Sequence, residues 1–216
     1  MSFERRLIFL CGEAEGEAFQ NHVEKLDAGL ETVWCSSVAS LDLVTRSGGH
    51  RTRLISFLTD VIVPDEIIQR LRPKPINIHP GPPEYPGAHG LTFAIFNGAS
   101  HYGVTVHEMT AKVDDGPILM VDRFPLPGDA ELVPYGNEVY ARAVALADHV
   151  IHHCVRTEGP MPHARGEAWS KHHCTRRRLK ALLTAQDYLT PSDQERLIRA
   201  AGPLLEKPEK AAKGHG

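Results

Sequence analysis

The sequence lacks a surplus of basic residues: 24 Lys and Arg face 27 Asp and Glu, for a formal charge of −3. That balance argues against a dedicated nucleic-acid binder, which usually carries a basic excess. It lacks a long apolar run. Nothing approaches the ~18 residues of a membrane-spanning helix, so no membrane partner is expected. After Met1–Arg6 only Leu7–Cys11 is apolar before a Gly/Glu-rich stretch. This is not a secretory leader pattern, and a cytoplasmic location is expected. Cysteine is sparse: Cys11, Cys35, Cys154 and Cys174 form no CxxC pair. Spacing this wide excludes a zinc ribbon or a small disulfide scaffold and reads as four reduced thiols. No 20–50-residue repeat of the solenoid type is present. What is there, 42% hydrophobic and 24% charged residues over 216 positions, is enough to bury a core of ordinary size.

The apolar pattern alternates between short runs and amphipathic stretches. Arg6–Cys11 reads as a buried strand ending at Gly12, and Glu17–Leu26 as a helix with Phe19, Val23 and Leu26 on one stripe. Glu31–Cys35 is a second strand, Ser47–His50 a loop, Leu54–Leu58 a third strand, Pro64–Arg72 a helix and Ile76–His79 a fourth strand. Strand–helix alternation predicts an open α/β sheet with helices on both faces. Pro80–Gly87 holds four prolines and must be a rigid loop. It follows a strand, where open α/β sheets place their ligands. A short helix over Leu91–Asn97, a strand over Gly103–Met109, a turn at Val113–Gly116, a strand over Pro117–Pro125 and a long helix over Tyr135–Cys154 complete the main part. The expected divisions are 1–157 as the catalytic domain, 158–206 as a small appendage and 207–216 as a frayed tail.

Three polar residues stand where strands end. Asn77 and His79 alternate on one strand and so share a face. Asp114 lies in the turn after the next strand. An amide and a protonated imidazole can donate to a developing oxyanion, imidazole moves protons near neutral pH, and a carboxylate can orient the ring. Spacing alone leaves open the plainer alternative, in which Asn77 and His79 satisfy loop carbonyls.

Four motifs settle the resemblance: Asn77-Ile78-His79-Pro80, Glu84-Tyr85-Pro86-Gly87-Ala88-His89, Gly103-Val104-Thr105-Val106-His107 and Asp114-Asp115-Gly116-Pro117-Ile118-Leu119. In this order, over about Leu54–Val155, the chain resembles the 10-formyltetrahydrofolate-dependent formyltransferases. That group includes glycinamide ribonucleotide transformylase, methionyl-tRNA formyltransferase and sugar N-formyltransferases. The resemblance implies a Rossmann-like fold, mostly parallel, with a small C-terminal appendage. It implies Asn77, His79 and Asp114 as the catalytic trio, with Asp114 rather than Asp115 because the family's Asp lies two residues before the glycine, here Gly116. It implies 10-formyltetrahydrofolate as co-substrate, its pterin ring between Asp60, Val61, Ile62, Val63 and Ile68 on one side and the Thr110–Asp114 loop, with Thr110 and Val113, on the other. For Ile62, Val63 and Ile68 a simple core role stays open.

Departures narrow the acceptor. Gly81-Pro82-Pro83-Glu84 replaces the Ser-Leu-Leu-Pro common after the family's His-Pro. Gly12-Glu13-Ala14-Glu15-Gly16-Glu17 stands where the purine enzymes carry a phosphate loop, and its carboxylates repel a phosphate. The tRNA-formylating enzymes carry a further C-terminal domain and a basic surface, whereas Arg176-Arg177-Arg178 is one cluster, read mainly as a solvated helix face. A small amine remains, with a nucleotide-linked aminosugar or a hydroxylated ornithine side chain as candidates. Glu13, Glu15 and Glu17 suit an ammonium group or simply complement a helix dipole. The alternatives are hydrolysis of the formyl donor and a non-catalytic folate-binding module. His152-His153-Cys154 and His172-His173-Cys174 carry zinc-ligand types, but adjacent helical residues diverge by about 100°, and no metal is expected. His89 and His101 are candidates for an acceptor phosphate. Nothing in the sequence sets an oligomeric state.

Overall fold

The computed structural model describes residues 5–46 and 51–205. The expected loop at Ser47–His50 and the expected frayed tail lie outside them. In chain order the elements are β1 (Arg5–Leu10), α1 (Glu13–Leu26), β2 (Glu31–Cys35), α2 (Val38–Arg46), β3 (Arg51–Phe57), α3 (Asp65–Arg70) and β4 (Ile76–His79). Then come α4 (Gly90–Phe96), β5 (His101–Glu108), β6 (Ile118–Pro125), α5 (Leu132–Arg156), α6 (Arg176–Thr184) and α7 (Pro191–Leu205). The six strands form one sheet in the order β2-β1-β3-β4-β5-β6. β2, β1, β3 and β4 run parallel, while β5 is antiparallel to both β4 and β6. This is the expected α/β architecture. Among the described residues no helix is long and apolar enough to cross a membrane.

The period of two along each strand divides the core. Leu7 and Phe9 of β1, Ile55 and Phe57 of β3, and Ile76 and Ile78 of β4 face the larger cluster, with Phe19 of α1 and Ile151 of α5. Ile8, Leu10 and Leu54 face the other side, with Leu41 of α2 and Ile67 and Ile68 of α3. Because helices cover both faces, Leu7–Leu10 can be apolar without alternation. The second face changes character along the sheet. It is apolar over β1 and β3, but at β4 and β5 it carries Asn77, His79, Thr105 and His107.

Two helices differ from the sequence expectation for identifiable reasons. α1 starts at Glu13, four residues early. Gly16 lies so close to the Trp34 ring that an added Cβ would overlap it, and Glu13 and Glu15 in the first turn complement the helix dipole. The Gly/Glu run is a helix start that needs its glycine, and its carboxylates take the helix-dipole role that the sequence offered. α2 was not foreseen, although its start is written in the sequence. The Ser40 amide donates to Ser37 Oγ and the Ser37 amide to Ser40 Oγ, both at 3.2 Å, a reciprocal cap.

Residues beyond 157 share the main core: Met161 and Ala200 belong to the larger cluster. Between α5 and α6 the chain runs as a strap without helix, tied at intervals to the body. Ala164 donates to the Ile118 carbonyl at 2.8 Å, Ser170 to Pro83 at 2.8 Å and Cys174 to Pro86 at 2.7 Å.

Candidate active site

Sheet register builds the site. β4 and β5 pair so that Asn77 stands opposite His107 and His79 opposite Thr105. All four project from one face, where cross-strand neighbours touch. Asn77 Nδ2 lies 3.1 Å from His107 Nε2. His79 Nδ1 lies 3.3 Å from Asp114 Oδ2, and His107 Nε2 lies 3.3 Å from Asp114 Oδ1. One carboxylate is therefore shared by two imidazoles. The structure thus brings together Asn77, His79 and Asp114, and adds His107. Asp115 is exposed and only 3.9 Å from Lys112, pointing away from the cluster.

Proton positions follow from the partners. His107 Nδ1 lies 2.8 Å from the Glu108 carbonyl. A carbonyl only accepts, so Nδ1 carries the hydrogen. With Nε2 bare, it accepts one Asn77 amide hydrogen and leaves the other free for a ligand. When Nε2 gains a proton, Asp114 Oδ1 is in place to receive its hydrogen bond. His79 Nδ1 donates to Asp114, which leaves Nε2 bare in the neutral ring; a proton gained at Nε2 finds the Tyr85 carbonyl 3.3 Å away as its acceptor.

The proline loop is fixed from below. Tyr102 Oη donates to the Pro80 carbonyl at 2.9 Å, and Thr105 Oγ1 to the Gly81 carbonyl at 2.7 Å. The Gly87 amide donates to Asp114 Oδ2 at 2.8 Å. Gly87 has a φ of +93° and sits against the Cys174 carbonyl, so a side chain there would meet both strain and a clash. Asp114 itself has a φ of +47°, a left-handed conformation that Asp and Asn tolerate better than other residues. These constraints hold Asp114 under the histidines.

Electrostatics separates the two ionisable partners. Burial raises the Asp114 carboxyl, but hydrogen bonding with His107, the charges of His79 and His107 and the Gly87 amide outweigh it and bring its pKa down to about 2. Burial is the largest influence on His79 and lowers its pKa, although Asp114 pulls the other way. Neutral imidazole beside carboxylate is therefore the resting state at neutral pH, which leaves His79 ready to accept a proton.

Trp169 on the strap covers the cluster. Its indole Nε1 donates to the Gly116 carbonyl at 2.7 Å. Its ring meets His79 and His107 edge to face, at centroid distances of 5.8 and 5.0 Å. His79 is left only 5% exposed and Asp114 3%. The contact of Trp169 with both imidazoles has no local sequence signal, because it lies over fifty residues from Asp114. Trp169→Phe should keep the edge contacts and lose one buried hydrogen bond of about 1 kcal/mol, lowering turnover roughly fivefold by the usual conversion of energy to rate. Trp169→Ala should lower it further. Wild-type turnover in the Ala variant, measured alongside urea unfolding, would remove Trp169 from the site.

The expected folate residues divide by exposure. Val63 and Ile68 lie in the smaller core cluster, and Val61 packs against it. Ile62 is 68% and Val113 49% exposed, so these are the apolar side chains free to meet a flat ring. Asp60 Oδ2 forms a 3.0 Å ion pair with Arg176 of α6. Thr110 Oγ1 donates to the Lys112 carbonyl at 3.0 Å, holding the loop before Asp114. His89 caps α4 in a left-handed conformation. His101 lines a separate groove of about 600 Å³ with Tyr85, Phe93, Tyr102 and Arg178.

Comparisons with known proteins place this geometry. Residues 57–144 match the sequence profile of the family described as formyl transferase. The hydrogenase maturation factor HoxX of Bradyrhizobium diazoefficiens is 35% identical over 147 residues, covering 65% of this chain and 25% of that protein. The chain spans only 21–34% of the length of the curated relatives it matches. A sugar N-formyltransferase from a Shewanella species is similar in structure with a TM-score of 0.70 at 19% identity, over 93% of this chain and 89% of that one. HypX from Aquifex aeolicus, solved with tetrahydrofolic acid, gives 0.62 at 20% identity, over 93% and 34%. The matched segment holds Asn77, His79, His107 and Asp114 together, and over residues 57–144 the chain is similar to the formyl transferase family.

Proposed function

We propose that this protein transfers a formyl group from 10-formyltetrahydrofolate to the primary amine of a small acceptor, with Asn77, His79 and Asp114 as the catalytic trio. The observation that carries the reading is the carboxylate of Asp114 under His79 Nδ1, with the Asn77 amide on the same face of the sheet. The free Asn77 amide hydrogen donates to the oxyanion that forms when the neutral amine attacks the formyl carbon. His79 Nε2 accepts the proton that the attacking nitrogen sheds. As imidazolium it steadies the oxyanion and delivers that proton to the N10 leaving group, whose bond to the formyl carbon breaks. Asp114 holds His79 in the right tautomer and stabilises its cation. The exposed side chains of Ile62 and Val113, with the backbone of Asp60–Val63 and Thr110–Asp114, fit an apolar slot for the pterin, floored by Val63 and Ile68. Residues 1–157 form the transfer unit on this reading, and 158–206 supply its cover. That cover disfavours water as the acceptor.

A nucleotide-linked aminosugar is the favoured acceptor class, in keeping with the name of the Shewanella relative. Glycinamide ribonucleotide is disfavoured. Glu15 is fixed near the end of β1, where its carboxylate accepts a 2.9 Å hydrogen bond from Tyr140 and crowds Gly12. A phosphate ~4–6 Å from that charge loses on the order of 1 kcal/mol or more. We expect aminosugar nucleotides and hydroxyornithine-type amines to exceed glycinamide ribonucleotide in kcat/KM. Release of tetrahydrofolate, measured with and without each amine, checks this. Faster reaction with glycinamide ribonucleotide than with every other amine would restore the purine reading. Release that needs no amine would favour hydrolysis, and binding without release a folate-binding module.

The likeness to HoxX carries a second reading, formyl transfer as one step within hydrogenase maturation. Unchanged hydrogenase activity in cells lacking this protein would exclude it.

A further inference from the structure

Away from the catalytic cluster, on the helical layer formed by α1 and α5, three ligating side chains converge. His22 comes from α1, and Asp148 and His152 from α5. Asp148 and His152 are four residues apart and so occupy one helix face, one turn from each other. His22 reaches them from the neighbouring helix. Its Nε2 lies 2.8 Å from Asp148 Oδ1, and His152 Nε2 lies 3.7 Å from the same oxygen. One ligand atom from each residue falls within 4.8 Å of the others. The two imidazole rings meet edge to face at 5.3 Å rather than stacking.

We propose that His22, Asp148 and His152 form a binding site for a divalent transition-metal ion of the zinc class. Zinc holds imidazole nitrogen and carboxylate oxygen at ~2.0–2.2 Å, which puts neighbouring ligand atoms of a tetrahedron ~3.3 Å apart. The observed 2.8 and 3.7 Å bracket that spacing, so small side-chain rotations close the site. The His22 nitrogen supports this reading over a plain ion pair. It is shielded from solvent and has no hydrogen bond of proper angle, although the carboxylate is only 2.8 Å away. A nitrogen that comes so near an oxygen without aiming at it fits an ion held between them. Two nitrogens and one oxygen suit zinc, nickel or copper, whereas magnesium and calcium prefer oxygen alone. The partial exposure of all three side chains leaves room for water to complete the coordination. An ion here would tie α1 to α5, which already meet through the Tyr140–Glu15 hydrogen bond.

The His-His-Cys triplets contribute only His152. Cys154 is buried, its sulfur 3.4 Å from the Arg53 guanidinium. Among the described residues no ligating group draws on both triplets. The pattern that marks the site is instead Asp-x-x-x-His on one helix, with a third ligand that only the fold supplies.

The test is calorimetric titration of the chelator-treated full chain with Zn²⁺ and, separately, with Mg²⁺. One Zn²⁺ per chain and no Mg²⁺ binding are expected. His22→Ala and His152→Ala should each weaken Zn²⁺ binding by about tenfold or more, with His101→Ala unchanged. Nitrogen-15 spectra of the wild-type imidazoles give a readout that needs no variant: the Nε2 signals of His22 and His152 should shift together on adding Zn²⁺. No Zn²⁺ binding, wild-type affinity in both variants, or shifts confined to other histidines would overturn the site.

Discussion

Replacing His79 with alanine should lower turnover by on the order of 10²-fold or more, because one side chain both carries the proton and helps hold the oxyanion. The fold will register the change too. Trp169 covers the ring and leaves it 5% exposed. Truncation therefore leaves a cavity and removes a partner of Asp114, at a cost of about 1–3 kcal/mol. His79→Gln fills more of the space and separates the two effects. It should recover stability without recovering turnover. The pH profile gives a second check. Burial lowers the His79 pKa, so the neutral base persists below the ordinary histidine range. The acid limb of kcat/KM should lie below pH ~6.5, the unperturbed histidine value, and should vanish in both variants. Near-wild-type turnover of His79→Ala with a verified acceptor would end this mechanism.

How much of this was legible in the sequence depends on distance along the chain. The β4 pattern Ile76-Asn77-Ile78-His79 shows its own two faces, because alternation is local. The parallel-sheet expectation came from buried runs such as Leu7–Leu10, and both hold. The Asp114 turn was visible as a polar strand end, but the choice of Asp114 over Asp115 came only through resemblance, since nothing in Val113–Gly116 says which carboxylate meets the histidines. His107 lay in plain view as a strand residue, but its place opposite Asn77 is a matter of antiparallel register, which pairs residues thirty positions apart. Trp169 is harder still. Its strap has no periodicity and is held by isolated backbone bonds to Ile118, Pro83 and Pro86. The boundary hardest to read was the start of α1, expected at Glu17 and found at Glu13. There tertiary packing decides, as Trp34 demands a residue without a side chain and the helix forms around it.

Asp114→Asn is the most selective of the expected losses, because asparagine changes the charge and almost nothing else. It has nearly the same volume and tolerates the left-handed backbone at φ +47°. An amide oxygen can still accept the Gly87 amide hydrogen. What it cannot do is stabilise an imidazolium at His79, so turnover should fall on the order of 10²–10³-fold. Asp115→Asn, at an exposed side chain paired loosely with Lys112, should stay within a few-fold of wild type. Stability must follow the charge as well. The folded pKa of Asp114, about 2, lies below the ~3.9 of an unfolded aspartate. The unfolded chain therefore binds the proton more readily, and the carboxylate stabilises the fold at every pH above ~4. That contribution, on the order of 2 kcal/mol, disappears as the pH falls through ~4 towards ~2. The wild type should lose it over that window, while Asp114→Asn should begin lower at pH 7 and show no such dependence. If Asp115→Asn instead produced the large losses, the functional carboxylate would be the second of the pair, and the shared contact of His79 and His107 with Asp114 would have no catalytic meaning.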